Sequence, residues 1–153
     1  MNTRLHLGST PIRLEPVDGE AIVLPLSLQQ LLDAGLQRFP PGEIALEQCI
    51  AMTEDALMPH VAALRQHPLE VLEVADDALV PLPALLGQSA GTAHTFAIDT
   101  VEQAFNLLAD VTAGLPAHCA GFPEQPRFVT ALLVVRELMH HVGWSALRLP
   151  SDA

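Results

Sequence analysis

RFVTALLVVRELMHHVGW, residues Arg127 to Trp144, is the longest uninterrupted helical pattern in the chain, and three potential metal ligands crowd together near its end. At about 100° per residue, Phe128, Ala131, Leu132, Val135, Leu138, Met139 and Val142 share one arc of roughly 120°, the width of a core-facing stripe. Arg127, Thr130, Arg136, Glu137, His140 and His141 fall on the opposite side, with Val129, Leu133 and Val134 among them. Pro123 and Pro126 mark the start. Gly143 marks the stop, because glycine takes the left-handed conformation just past a helix C-cap, and histidines in the last turn suit the negative end of the helix dipole.

Around this helix the chain alternates between short strands and helices. Ala146 to Leu149, just after it, reads as a returning strand, and LPAHCAGFPEQP before it is a Pro/Gly loop carrying His118 and Cys119. Upstream, Asp99 is placed to cap a helix with Glu102 completing a capping box. Val101, Ala104, Phe105, Leu108 and Val111 form its buried stripe, and Gly114 ends it. QSAGTAHT is a loop by composition, Phe96 to Ile98 a short strand, and VPLPALLG an irregular link with one helical turn. Leu69 to Val74 alternates as a strand.

A further helix begins near Pro41 or Glu43 and runs through EIALEQCIAMTEDALM towards Arg65, with Pro59 as a kink or a break. It carries two apolar strips, one of Leu46, Ile50 and Leu57 and one of Ala45, Cys49, Met52 and Ala56. Leu26 to Phe39 is also helical in pattern, with Ser27 and Gln30 as a capping box and Leu28, Leu31, Leu32 and Leu36 as its apolar face. At the N-terminus, Ile12 to Leu14 and Ala21 to Leu24 flank PVDGE, whose Asp18-Gly19 pair signals a tight turn. That predicts a β-hairpin, with Thr3 to Leu7 as a third strand before it. The sum is a helix-dominant α+β fold over residues 1–153 as one domain, with about four helices packed on a small, mostly antiparallel sheet. Helices joined through strands and long loops do not make a plain up-down bundle.

Composition excludes several chemistries. Seven Arg, no Lys and 18 acidic residues give a formal charge of −11, which argues against nucleic acid, whose backbone needs clustered positive charge. Absence of Lys removes Schiff-base chemistry and a P-loop lysine, and absence of Tyr removes phenolic acid–base roles. The two cysteines lie far apart with no CxxC spacing, and no apolar run is long enough to span a bilayer, so a cytoplasmic protein is expected.

Glu137, His140 and His141 form the sharpest constellation. Residues three and four apart share a helix face, so a carboxylate set between two imidazoles would suit iron, manganese or zinc, with His118 or Cys119 as outside ligands. The competing reading is a solvated helix face with a Glu137–His141 ion pair. HExxH, GxSxG, GxGxxG and P-loop patterns are absent, and Asp76-Asp77 and Glu54-Asp55 read as solvated acidic pairs. A second signal is surplus apolar surface. Val129, Leu133, Val134 and Trp144 are a candidate contact face for a protein partner or a second copy, a homodimer being the commonest closed assembly. With catalytic signals missing, the sequence points to a non-catalytic accessory or regulatory interaction subunit, and secondarily to a small metal-binding protein or metalloenzyme using Glu137, His140 and His141.

Overall fold

Alternation at the N-terminus becomes three strands, β1 (Thr3–His6), β2 (Arg13–Glu15) and β3 (Ile22–Val23), in a computed structural model that describes residues 2–88 and 94–150. There follow α1 (Leu28–Leu31), α2 (Glu43–Leu57), α3 (Val61–Leu64), β4 (Val71–Val74), α4 (Leu82–Leu85), β5 (His94–Ala97), α5 (Ile98–Thr112), α6 (Ala117–Ala120), α7 (Pro126–Val142) and β6 (Ala146–Leu149). The QSAGTAHT loop lies mostly outside the described residues. Helices dominate, and the fold is α+β.

The six strands form one sheet in the order β3-β2-β1-β4-β6-β5. Three ladders are antiparallel, β1 with β2, β2 with β3 and β5 with β6. The two central ones, β1 with β4 and β4 with β6, are parallel, because each pair is joined by a long helical crossover rather than a turn. Side chains alternate across this sheet. Leu5, Leu14, Leu72, Val74, Phe96 and Leu147 point into the core. The other face carries a row of alternating charge, with Glu15 opposite Arg4, Arg4 opposite Glu73, and Glu73 opposite Arg148. Thr95 on β5 ends the row.

Helix α7 is the centre of the molecule. It packs against α1 and the turn after it, α2, α3 and α5. Consequently every residue from Phe128 to Val135 is buried, well beyond the single arc the periodicity marks out. Val129, Leu133, Val134 and Trp144 are each 0% exposed, which corrects their reading as a contact face. They looked surplus only because the sequence does not show how many helices wrap this one. Thr130, also fully buried, is accommodated by donating its hydroxyl to the Pro126 carbonyl at 2.8 Å.

Local chemistry accounts for most boundaries. Ser27 and Gln30 form the reciprocal capping box of α1. Gly143 closes α7 at φ 106°, and Pro59 sits in a 3₁₀ turn, Met58–His60, that separates α2 from α3. Two expectations fail. The Leu26–Phe39 helix loosens after one turn into a wide π-type turn, Leu32–Leu36, where Gly35 takes φ 138° beneath Ala45 of α2. The cap of α5 is Ala97 rather than Asp99, which lies in the first turn and meets the positive end of the dipole. Glu102 is drawn away from the backbone by Arg136 on α7. Among the described residues no helix is long and apolar enough to cross a membrane.

Candidate functional site

Two clusters carry chemistry, one at each end of α7. At its C-terminal end Glu137 is 1% exposed, and its Oε2 accepts a hydrogen bond from Arg136 Nη1 at 2.6 Å. The other oxygen, Oε1, faces His141 Nε2 at 3.4 Å, and the same imidazole nitrogen lies 3.7 Å from Glu54 Oε2 on α2. One ligand atom from each of Glu54, Glu137 and His141 lies within 4.8 Å of the others. His140, though adjacent in sequence, turns away from this cluster towards Glu102, at 3.8 Å. A helix places consecutive residues about 100° apart, so two neighbouring imidazoles do not converge on one point. Neither His118 nor Cys119, both exposed on α6, belongs to the cluster.

Arg136 is held from three sides. Burial works against its charge, but hydrogen bonds and charge from Glu137 and then Glu102 outweigh that and raise its pKa above the ordinary value. Its guanidinium also lies over the Phe105 ring at 4.8 Å. Arg65 from the α3 end donates to the carbonyls of His141, at 2.7 Å, and Val142, at 3.1 Å. These bonds satisfy two orphan carbonyls of α7 and fix the last turn that carries His141.

The second cluster follows from topology. In sheets with parallel strands, ligand sites collect beyond the carboxyl ends of those strands. Here the ends of β1 and β4 release two loops side by side, Gly8-Ser9-Thr10 and Asp76-Asp77, and Gly8 N donates to Asp76 Oδ2 at 2.8 Å. The other Asp76 oxygen accepts from Ala78 N at 3.3 Å. Arg127, in the first turn of α7, meets both loops: its Nη1 contacts Asp77 Oδ1 at 3.2 Å, with the pair 49% and 78% exposed. A Cβ added at Gly8 would lie 3.2 Å from Arg127 Nη2, close enough to push the guanidinium back by a few tenths of an ångström. Arg127 also lines two cavities. One of about 190 Å³ is lined by Gly8, Ser9, Thr10 and Gln29, and another of about 310 Å³ by Asp77, Pro81, Gln125 and Phe128. The helix N-terminus beside them adds unpaired backbone N–H groups and a positive dipole end.

Sequence reading passed over this cluster. Asp76 and Asp77 read as one solvated acidic pair; Asp77 is exposed, and Asp76, half-buried, is also tied to Gly8, 68 residues away. The available signal was positional: short Gly/Ser/Thr and Asp/Asp segments each directly follow a strand.

No protein-family model matches the chain, and no curated protein matches it in sequence. Its fold does match solved structures. A PPX-GPPA enzyme of Aquifex aeolicus superposes with a TM-score of 0.71 at 12% identity, over 97% of this chain and 52% of its own. An exopolyphosphatase of Cytophaga hutchinsonii gives 0.68 at 12% identity, over 99% and 53%. An exopolyphosphatase-like protein gives 0.70 at 10% identity, over 98% and 55%. The chain thus spans about half the length of the structures it matches. At such identities the likeness carries the fold alone. The expectation of a non-catalytic interaction subunit is corrected by this likeness, since the architecture is that of structures described as a PPX-GPPA enzyme and an exopolyphosphatase.

Proposed function

We propose that this chain is the phosphate-handling unit of a phosphatase-type enzyme, cytoplasmic, with a polyphosphate or similar phosphoanhydride as its substrate class. The observation that carries the reading is the convergence of Gly8-Ser9-Thr10, Asp76 and Arg127 beyond the carboxyl ends of β1 and β4. Exopolyphosphatases among the structures of the same fold support the substrate class. Two free cysteines suit a reducing compartment.

Each group has a distinct task. Arg127 supplies a planar guanidinium for two phosphate oxygens, and the N-terminal amides of α7 and the Thr10 hydroxyl supply further donors. Its present partner, Asp77, is an exposed carboxylate, and an exposed pair of this kind is worth about 0–1 kcal/mol, so a phosphate dianion displaces it at little cost. Asp76 is positioned by two backbone N–H groups and keeps lone pairs with which to accept a proton from an attacking water. The chain's charge of −11 opposes a polyanion. Two carboxylates beside the anion position are a hard-oxygen donor set that fits Mg²⁺, and such an ion would neutralise the phosphate charge when bound.

Calorimetric titration with tripolyphosphate, with and without Mg²⁺, tests the reading. Binding should require Mg²⁺ and weaken at least about tenfold in Arg127→Ala, a difference of about 1.4 kcal/mol. Equal binding by wild type and Arg127→Ala, or none by either at millimolar ligand, would refute it. Release of inorganic phosphate that persists undiminished in Asp76→Asn would remove Asp76 from the chemistry.

A further inference from the structure

We infer that Glu54, Glu137 and His141 form a divalent transition-metal site that clips α2 to α7. The contact geometry suits an ion better than an ion pair alone. With metal–ligand bonds of about 2.0–2.2 Å, two ligands of a tetrahedral ion stand about 3.3–3.6 Å apart. His141 Nε2 lies 3.4 Å from Glu137 Oε1 and 3.7 Å from Glu54 Oε2, long for hydrogen bonds and close to that tetrahedral edge. The third edge, Glu54 to Glu137, is longer, within 4.8 Å, and Glu54, 40% exposed on α2, is free to rotate its carboxylate inward to close it.

A second observation comes from Glu137 itself. Its residue is 1% exposed, Oε2 is satisfied by Arg136, and Oε1 accepts no hydrogen bond from the described residues while aiming into the cluster. Burying a carboxylate is unfavourable unless something positive meets it. Charge points the same way. Arg136 pairs with Glu137 and Glu102, while Glu54 meets no guanidinium among the described residues, so the carboxylates beside His141 outnumber the cations that face them.

One imidazole nitrogen and two carboxylate oxygens are the mixed donor set of zinc and its first-row neighbours, and three protein ligands leave a fourth position for water. Outer contacts are in place as well. Arg136 orients Glu137 through the oxygen the metal does not use, and Arg65 fixes the backbone of His141. The ligands differ from the sequence expectation in one residue: Glu54 enters and His140 leaves. Because Arg127 and Glu137 stand ten residues apart on one helix, roughly 15 Å at about 1.5 Å per residue, this site is separate from the phosphate cluster.

Tag-free, chelator-stripped full chain, in phosphate-free buffer, is titrated with Zn²⁺ by calorimetry and with Co²⁺ by visible absorption. One equivalent of each should bind, with the intense d–d bands of a tetrahedral Co²⁺ complex, and Zn²⁺ should raise the Tm. Glu54→Gln and His141→Ala should each weaken binding at least tenfold, and His140→Ala should leave it within twofold. Glu54 is a partly exposed residue, so Glu54→Gln reports even where Glu137→Gln fails to fold. Absence of saturable binding at micromolar metal overturns the proposal, as does equal binding by wild type and Glu54→Gln, or a loss in His140→Ala matching that in His141→Ala. None of these outcomes depends on whether the chain binds tripolyphosphate.

Discussion

Gly35 offers a sharp test of how α1 and α2 meet. Its φ of 138° is a conformation that side chains with a Cβ rarely adopt, and a Cβ built there would lie 2.7 Å from the Cβ of Ala45. Gly35→Ala therefore combines backbone strain of about 1–3 kcal/mol with overpacking of about 1–3 kcal/mol, for a loss of about 2–6 kcal/mol. Against a total stability of about 5–15 kcal/mol, that is readily measured. Ala45→Gly alone should cost about 1 kcal/mol, the propensity difference within a helix, because no partner is lost. In the double variant the clash disappears and the strain stays, so Gly35→Ala/Ala45→Gly should be about 1–3 kcal/mol more stable than the two single losses added together. Urea unfolding of all four proteins, with equal m-values, gives the cycle. Additivity to within about 0.5 kcal/mol would refute the close approach, and a Gly35→Ala loss below about 1 kcal/mol would refute the strained turn as well.

Other variants probe the remaining features. Leu133→Ala, at a fully buried position, should lower unfolding stability by about 2–5 kcal/mol and leave the sedimentation coefficient unchanged. An altered association state with intact stability would mean that this residue faces a partner after all. Asp77→Asn removes one of the two carboxylates offered to Mg²⁺, so tripolyphosphate affinity measured by calorimetry with Mg²⁺ should fall a few-fold, and a rise would make Asp77 only a competitor for Arg127. Burial pushes the Cys49 thiol above its ordinary pKa of 9.0, so the folded chain keeps this proton longer than the unfolded one. Its stabilising contribution is full below about pH 9 and is lost as pH rises through the folded value. Thermal midpoints should accordingly fall less steeply on the alkaline side in Cys49→Ala, and alkylation near neutral pH should label exposed Cys119 first.

Much of the fold was legible because it rests on local rules. The Ser27–Gln30 box, the Asp18-Gly19 hairpin, the Gly143 stop and the strand at Ala146–Leu149 all follow from short-range chemistry. What escaped was long-range. Nothing near Val134 in sequence says that four helices will pack around its helix and leave it wholly buried, and nothing near Asp76 says that its oxygen will meet the Gly8 amide. His141 was visible from its spacing to Glu137, while Glu54, on another helix, was not. A pattern confined to one helix reveals which residues share a face and is silent on what that face will meet.

The row of charge on the open face of the sheet bears on strand register. Inward and outward alternation penalises a slip of one residue, since every core side chain would then change sides, but it is blind to a slip of two. Sliding β4 by two against β1 would keep leucines and valines inside while setting Arg4 against Val71 or Ala75 in place of Glu73. Each lost cross-strand pair is worth only about 0.2–1 kcal/mol, yet β4 would lose its partners Arg4 and Arg148 on both flanks at once. Glu15, Arg4, Glu73 and Arg148 thus act as an alignment mark readable only in one arrangement, and that arrangement holds Gly8 beside Asp76.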